Sequence, residues 1–374
     1  MKLRKIRLNF SIVWVVLLAA SPVFCQSPQS TSNQIVRPIN MLVLGDSILW
    51  GQGLRANHKP WYHVKAWLKK TTGRTVIERI EAHSGAVIEG DSLTDKRTST
   101  NREVNLGLPT VLQQLDSALR VYSDGSQIDL VLLSGCGNDV GFQNMLNAST
   151  IEEVDDMTKA KCGRPMQDLL RRITTSFPTA QIIVSGYYPF FSEHTRNDFI
   201  VRALARRFFK TQPGAPKISS KEVFERLKVN SKQWSETSNQ TLAQGAQRIN
   251  AEIGRQRIMF ARIEFSPEYS FAAPKTRLWG FNRSPFRMAL VLLSFGKILL
   301  PSNDEVRGQR TAGCNEVFEE QPNETPQEKK ERETLRLSCR YASLGHPNRE
   351  GSLLYSEAII NLLKTIPGGF ASTR

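Results

Sequence analysis

The chain has 374 residues, of which 40% are hydrophobic and 23% are charged. This ordinary composition excludes a mostly disordered chain, a collagen-like chain and a multi-span membrane protein. The 50 lysines and arginines outnumber the 35 aspartates and glutamates, so the formal net charge is +15. A basic protein favours an anionic neighbour such as nucleic acid, a membrane surface or an acidic polysaccharide, and charge alone does not choose between them.

Residues 1–25 have the order of a secretory signal peptide: a basic start, an apolar run from Phe10 to Ala20, and a final SPVFC. The apolar run is shorter than the about 20 residues that a membrane span needs, so an uncleaved N-terminal anchor is the less favoured alternative. Residues 26–37 are rich in Ser, Gln and Asn and are predicted to be a linker. The sequence therefore predicts a secreted or periplasmic protein with one domain over residues 38–370.

Four cysteines remain if Cys25 leaves with the signal peptide, and an even number favours disulfides in an exported chain. Their spacing suggests the pairs Cys136–Cys162 and Cys314–Cys339. Each bridge would close a loop of about 25 residues and contribute roughly 3 kcal/mol. The alternative, four free buried thiols, would suit a cytosolic protein.

Strand and helix patterns alternate along the chain. Short apolar or alternating segments predict five strands, at residues 40–47, 75–82, 128–135, 180–188 and 257–265. Helical patterns open at Pro60, Pro109 and Pro165, since proline suits the first helical position. A last helix is predicted over 349–364, with Leu353, Ile360 and Leu363 on one side. Strands separated by helices predict an α/β fold with a parallel sheet covered on both faces.

Two stretches interrupt this alternation and are predicted to be insertions, at about 189–256 and at about 274–345. The first is mostly helical and carries Arg202, Arg206 and Lys210 at helical spacing. Such charge runs are usually solvated helix faces, which is the favoured interpretation here.

The second insertion contains the apolar run 288–300 and the acidic–basic segment 318–333. The apolar run is too short to span a bilayer, and a buried helix is favoured over a lid or a membrane-facing segment. The charged segment is predicted to be a solvent-exposed loop.

Polar motifs lie at predicted strand ends or helix starts, where open parallel sheets form their sites. The apolar run of the first predicted segment ends at Gly45, so Asp46 and Ser47 follow it in GDSILWG, and Gly85 follows the second strand in AHSGAV. Asn138 follows the third in SGCGNDVGF, and His346 precedes the last helix in GHPNREG. In this order, Ser47, Gly85, Asn138 and His346 match the four hallmark residues of the SGNH, or GDSL-type, hydrolase family, which the sequence resembles.

The resemblance implies a flavodoxin-like three-layer α/β/α fold with a parallel sheet of about five strands, and ester hydrolysis by a serine nucleophile. Ser47 would attack and His346 would act as base and then as acid, because a serine hydroxyl is a poor nucleophile until a base takes its proton. The resemblance assigns the oxyanion hole to the backbone N–H groups of Ser47 and Gly85 and the side-chain amide of Asn138.

By the same resemblance, Asp46 and Asp139 organise the loops by hydrogen bonding. The family usually has Asp three residues before the catalytic His, whereas this chain has Ser343 there. The Ser343 hydroxyl, a nearby backbone carbonyl or a carboxylate such as Asp304 would have to orient the imidazole of His346. The missing Asp leaves an alternative open, a catalytically inactive SGNH-like fold that binds an envelope polysaccharide or another ligand.

The sequence thus predicts an exported carboxylic ester hydrolase of the esterase or lipase type. No metal or organic cofactor is expected, because no Cys/His or carboxylate cluster has metal-ligand spacing. The expected substrates are lipids, other small esters or acyl groups on a polysaccharide, and the sequence does not separate them. The basic charge suggests contact with an anionic surface, whereas a nucleic-acid partner is not expected in an exported protein.

Overall fold

A five-stranded parallel sheet forms the centre of the protein. The computed structural model describes residues 37–92, 94–202, 219–293, 300–367 and 370. The strands are Ile39–Leu44 (β1), Val76–Ile80 (β2), Leu130–Leu133 (β3), Gln181–Ser185 (β4) and Ile258–Ala261 (β5). Their order across the sheet is β2-β1-β3-β4-β5, and every neighbouring pair is parallel. Four strands lie inside their predicted segments and β1 begins one residue before its own, at Ile39, so the five predicted strands are confirmed.

Helices connect the strands and continue after the last one. In chain order they are Ser47–Trp50 (α1), Pro60–Thr72 (α2), Val111–Val121 (α3), Gly137–Val140 (α4), Phe142–Asn147 (α5), Ile151–Cys162 (α6), Arg164–Ser176 (α7), Ser220–Ile253 (α8), Pro285–Leu293 (α9), Arg307–Val317 (α10), Pro326–Arg340 (α11) and Arg349–Lys364 (α12). The predicted signal peptide, the linker up to residue 36, Arg206 and Lys210 lie outside the described residues.

The sheet has an apolar layer on each face. Successive side chains of a strand point to opposite faces, so Leu42 and Leu44 of β1 join one core cluster and Met41 and Val43 join the other. Helices α3, α7 and α8 pack on the first face, and α2 and α12 pack on the second. Burying one such leucine contributes about 1.5–3 kcal/mol, which explains why the strands are continuous apolar runs. The fold is the predicted three-layer α/β/α sandwich.

Two helices differ from their predictions in detail. Helix α3 begins after Thr110 and not at Pro109, because the Thr110 hydroxyl accepts a hydrogen bond from the Gln113 N–H and closes a capping box. Helix α12 has its predicted bounds, but Leu353 is 41% exposed. The buried stripe of α12 runs instead through Tyr355, Ile359 and Leu363, at the spacing that one helical face requires.

The first predicted insertion contributes to the sandwich. Helix α8 is 34 residues long and packs against α6, α7 and β5. Because β4 and β5 are parallel neighbours, the chain needs a crossover between them, and α8 supplies it.

The second predicted insertion differs from expectation in both of its segments. Residues 326–340 form helix α11 and not a loop, since Thr325 and Glu328 make a capping box at its start. In α9, which contains the described start of the 288–300 run, Phe286 is 71% exposed and Leu293 is 78% exposed. Leu293 is therefore not buried as the favoured buried-helix interpretation expects, whereas Leu300, at the end of the run, is 4% exposed.

Both predicted disulfides are present. Cys136–Cys162 joins the loop after β3 to the end of α6, and Cys314–Cys339 joins α10 to α11. Among the described residues, no helix combines the length and the apolar character that crossing a membrane requires.

Candidate active site

The candidate site lies where the topology of the sheet reverses direction. The chain leaves β1 to form β2 on one side and then returns to form β3 on the other side of β1. The loops after β1 and β3 therefore separate at the carboxyl ends of two neighbouring strands, which is where open α/β sheets bind ligands. Ser47 lies in the first loop and Asn138 in the second.

A tight turn after β1 presents Ser47. Gly45 has φ of +132°, and a Cβ atom at this position would lie 2.4 Å from the Ser134 carbonyl oxygen, so only glycine fits. Asp46 caps α1, because its carboxylate accepts a hydrogen bond from the Ile48 N–H at 3.0 Å. Ser47 is consequently the first residue of α1, with its hydroxyl at the carboxyl edge of the sheet.

A second turn brings His346 to this serine. The His346 N–H donates to the Ser343 carbonyl at 3.0 Å, and the Tyr188 hydroxyl donates to the Gly345 carbonyl at 2.7 Å. Gly345 has φ of +77°, and the Phe190 ring occupies the place where a Cβ would be. With its backbone held in this way, His346 has Nε2 at 2.7 Å from the Ser47 Oγ, although 299 positions separate the two residues.

The surroundings of His346 favour the neutral imidazole. Burial and the nearby positive charge of Arg310 lower its pKa to about 4, and backbone carbonyls of residues 342–344 oppose that shift only in part. At neutral pH the ring is therefore uncharged, as a general base must be. In the described part of the chain no hydrogen bond of ordinary geometry reaches Nδ1 of His346, although these carbonyls are close enough to oppose the fall in its pKa.

Ser343 does not take the place of the usual triad carboxylate. Its hydroxyl donates to the Asp304 carboxylate at 2.8 Å and is fully buried. Burial opposes ionisation of Asp304, but hydrogen bonds and the charge of Arg310 hold the pKa of that carboxyl below its ordinary value. A carboxylate introduced at position 343 would face the Asp304 carboxylate, so the fold accommodates a hydroxyl there and not an acid.

Asn138, an expected oxyanion-hole residue, lies beside Ser47 on the wall of one cavity. The Asn138 Nδ2 donates to the Ala86 carbonyl at 3.0 Å. An amide nitrogen carries two hydrogens, so this bond orients the group and leaves it a second donor.

Gly85 has φ of +85°, and a Cβ atom there would lie 2.6 Å from the Leu106 backbone nitrogen. Glycine is required here because the neighbouring segment of the chain fills the space that a side chain would take.

Tyr187, which sequence reasoning missed, joins the loops after β1 and β3. Its hydroxyl donates to the Asp46 carboxylate at 2.6 Å and accepts from the Gly137 N–H at 3.0 Å. Burial raises the pKa of Asp46, and the hydrogen bonds from Tyr187 and Ser134 oppose that rise. The available signal was the pair of tyrosines at the end of a predicted strand, at the sheet edge where site residues are expected.

Asp139 and Asp46 both accept hydrogen bonds from loop groups. The Asp139 carboxylate accepts from the Ile88 N–H at 3.0 Å and so connects the loops after β2 and β3. Burial raises the pKa of Asp139 to about 6. Both carboxylates thus bond groups of neighbouring loops, and their loop-organising roles stay a prediction.

An apolar cavity of about 330 Å³ opens onto Ser47, Asn138 and His346. Its far wall consists mainly of aromatic and aliphatic side chains from α5, α8, α11 and the loops that follow β4 and β5. Examples are Phe142, Met145, Phe190, Trp234, Phe281 and Leu337. The cavity thus combines a few polar groups at one end with an apolar chamber, as small-molecule sites usually do.

Residues 43–215 match the model of the GDSL-like Lipase/Acylhydrolase family. This segment contains Ser47, Gly85 and Asn138, and the resemblance inferred from the motifs is confirmed. His346 lies beyond the matched residues. No curated protein matches the sequence.

Several solved structures are similar to this chain. A phospholipase A1 from Streptomyces albidoflavus NA297 has 13% identity and a TM-score of 0.37, over 66% of this chain and 89% of that one. An extracellular lipase from Streptomyces rimosus has 14% identity and a TM-score of 0.36, over 65% and 88%. A family 2 carbohydrate esterase with a carbohydrate binding domain, from Corynascus thermopiles, has 14% identity and a TM-score of 0.34, over 64% and 60%.

Proposed function

We propose that this protein hydrolyses carboxylic esters, with Ser47 as nucleophile and His346 as the base that activates it. The observation that carries the proposal is the 2.7 Å contact between His346 Nε2 and Ser47 Oγ, at the sheet edge where such sites form. A nucleophile and a base within hydrogen-bond reach are the minimum for acyl transfer by serine. The neutral state of the imidazole further supports this assignment.

The reaction would proceed in two halves. Ser47 Oγ attacks the ester carbonyl carbon while His346 Nε2 takes its proton, and the tetrahedral intermediate then expels the alcohol, which takes that proton. Water, deprotonated by His346, next hydrolyses the acyl-enzyme and releases the acid. The N–H groups of Ser47 and Gly85 and the amide of Asn138 would bind the developing oxyanion.

The cavity favours esters with an apolar group over acetyl esters of a polysaccharide. Aromatic and aliphatic side chains line the chamber behind Ser47, and a sugar placed there would lose its hydrogen bonds to water. Of the substrate classes that the sequence left open, lipids and other apolar esters therefore fit best.

Reaction with a fluorophosphonate, which modifies activated serines, tests the proposal. The wild-type protein should be labelled and should hydrolyse p-nitrophenyl acetate, and Ser47→Ala should abolish both. Asn138→Ala should lower kcat roughly 100- to 1,000-fold, because it removes one oxyanion donor. Circular dichroism checks that each variant is folded.

Control substitutions outside the cavity distinguish the loss of an active-site group from a nonspecific effect of substitution. Ser123→Ala and His194→Ala, which alter residues outside the cavity, should leave labelling and turnover unchanged, whereas His346→Ala should abolish turnover. Undiminished hydrolysis by Ser47→Ala would overturn the assignment of the nucleophile. Absence of labelling in the wild-type protein would favour the alternative of an inactive fold that binds a ligand.

The protein is further proposed to act outside the cytoplasm. The signal-peptide pattern of residues 1–25 supports export, and the two disulfides are typical of an oxidising compartment. The basic charge of the chain suggests that it works near an anionic surface.

A further inference from the structure

Four charged side chains form a buried cluster next to the candidate site: Lys59, Glu103, Asp304 and Arg310, each at most 5% exposed. They alternate in sign along a chain of contacts. Lys59 lies 3.4 Å from Glu103, Arg310 lies 3.5 Å from Glu103, and Arg310 lies 2.6 Å from Asp304. We call this set the buried charge cluster.

One end of the buried charge cluster holds the helix that begins with Ser47. The Lys59 ammonium donates to the carbonyls of Trp50 and Gly51, at 2.8 and 3.2 Å, at the C-terminal end of α1. The Glu103 carboxylate accepts from the Trp50 indole N–H at 2.9 Å and from the Gly53 N–H at 3.1 Å.

The other end holds the turn that carries His346. The Asp304 carboxylate accepts from the Ser343 hydroxyl at 2.8 Å, and the His346 N–H donates to the Ser343 carbonyl. Arg310 donates to the Arg340 carbonyl at 3.2 Å, at the end of the helix that leads into this turn. The cluster therefore contacts the backbone on both sides of the Ser47–His346 pair.

A buried cluster of ion pairs contributes little to the free energy of unfolding. Removing four charges from water is costly, and buried ion pairs can often be replaced by apolar side chains without loss of stability. Charged hydrogen bonds do, however, fix the geometry of the groups that they join. Here the planar guanidinium of Arg310 contacts the carboxylates of Glu103 and Asp304 at the same time. Reactions that depend on two oriented groups are sensitive to such geometry.

We propose that the buried charge cluster positions the Ser47 helix and the His346 turn relative to each other and so sets the alignment of Oγ with Nε2. The inference rests on the proposed function, since it assumes that these two atoms react. Lys59, Glu103, Asp304 and Arg310 are thus positioning residues, and none of them touches the substrate cavity. The effect of the Arg310 charge on the His346 pKa is a second link between cluster and base.

The test uses Glu103→Gln and Asp304→Asn, which remove a charge and keep the size of the side chain. Fluorophosphonate titration counts the active sites, so that kcat can be expressed per labelled site and separated from any loss of folded protein. We expect kcat per labelled site to fall about 10- to 100-fold in each variant. KM for a p-nitrophenyl ester should stay within about twofold of the wild-type value, because the cavity is unchanged.

Two further variants identify the cause. The double variant should lose no more than about the larger of the two single losses, since both substitutions interrupt one network. Arg310→Lys keeps the charge but not the fork, and it should also lower kcat per labelled site. The matched control is Glu324→Gln, which breaks another shielded ion pair, Arg332–Glu324 (8% and 11% exposed), and should leave kcat per labelled site unchanged.

The outcomes are distinguishable. If the wild-type protein is not labelled, the proposed function fails. If it is labelled but both single variants keep the wild-type kcat per labelled site, with only a lower melting temperature, the cluster is merely structural and this inference is wrong. Should Asp304→Asn not fold, Ser343→Ala decides, since it removes the link between Asp304 and the His346 turn and should lower kcat per labelled site about tenfold.

Discussion

The chemistry of the candidate site depends on the protonation state of His346. Free histidine has a pKa of about 6.5 and would be partly charged in mildly acidic solution. Burial and the positive charge of Arg310 lower the pKa of His346 to about 4, so that the ring stays neutral well below pH 6. The Ser47 hydroxyl therefore faces an available lone pair over a wide pH range.

The pH dependence of kcat/KM should report this shift. Because only neutral His346 can accept the proton of Ser47, kcat/KM should rise with pH through about pH 4 and then stay level to neutrality. The measurement is initial-rate hydrolysis of a p-nitrophenyl ester between pH 3 and 8, corrected for spontaneous hydrolysis. A rise centred near pH 6.5 would contradict the expected environment of the ring.

Acid also affects the fold, and the sign follows from the same pKa. Between about pH 4 and pH 6.5 the unfolded chain binds a proton at His346 that the folded chain does not. Acid therefore destabilises the folded state in this window, and stability is regained as the pH rises. Circular dichroism at each pH distinguishes loss of the base from loss of the fold.

Helix α4 illustrates how an element too short to be stable alone is held in place. It has four residues, includes Asn138, and begins after Cys136, whose φ of +89° is unusual for a residue with a side chain. The Cys136–Cys162 disulfide ties its start to the end of α6, and the Tyr187 hydroxyl accepts from the Gly137 N–H. Covalent and hydrogen-bonded restraints thus replace intrinsic helix stability next to the expected oxyanion donor.

Cleavage of the Cys136–Cys162 bridge should impair activity before it unfolds the protein. The loop around α4 loosens first, because local openings require less free energy than global unfolding. Cys162→Ala should therefore lose a larger fraction of its kcat than of its helix content. Ester hydrolysis measures kcat, and far-ultraviolet circular dichroism measures helix content. Cys339→Ala, which removes the bridge between α10 and α11, is the comparison and should lower kcat less. Equal kcat losses in the two variants would argue against a specific restraint on the Asn138 loop.

At the scale of the molecule, the substrate cavity belongs to no single segment. Phe142 comes from α5, Trp234 from α8, Leu337 from α11, and Phe190 and Phe281 from loops. These side chains converge only because the sheet order and the α8 crossover bring distant parts of the chain together. The apolar chamber is therefore a property of the tertiary structure.

The cavity predicts a preference for longer acyl chains. Each methylene removed from water contributes about 0.8 kcal/mol, so kcat/KM should be higher for p-nitrophenyl octanoate than for the acetate. Trp234→Ala should lower kcat/KM for the octanoate and leave the acetate nearly unchanged. Trp67→Ala, on the opposite face of the sheet, is the matched control and should not change the ratio of the two. A wild-type protein that prefers the acetate would contradict an apolar acyl site.

Much of the fold could be inferred from local patterns. Runs such as MLVLG and LVLLSG predict strands buried on both faces, and each lies where expected, because a strand covered by helices on both sides must be apolar at every position. The polar motifs at strand ends likewise predict one site, since parallel strands all end at the same edge of the sheet. Local motifs identified Ser47, Asn138 and His346 as candidate site residues, because a few adjacent residues determine whether a turn or a helix cap forms.

Features that depend on contacts between distant segments were not readable. Ser343 was one of three candidates for orienting His346, but its hydroxyl bonds Asp304. A core helix was favoured for the 288–300 run, but Leu293 in it is exposed. The buried pairing of Glu103 with Arg310 joins residues more than 200 positions apart, and each looks like an ordinary surface charge in the sequence. Local periodicity reports whether a residue faces a core, whereas the partner of a buried charge is decided only when the sheet and its helices have packed together.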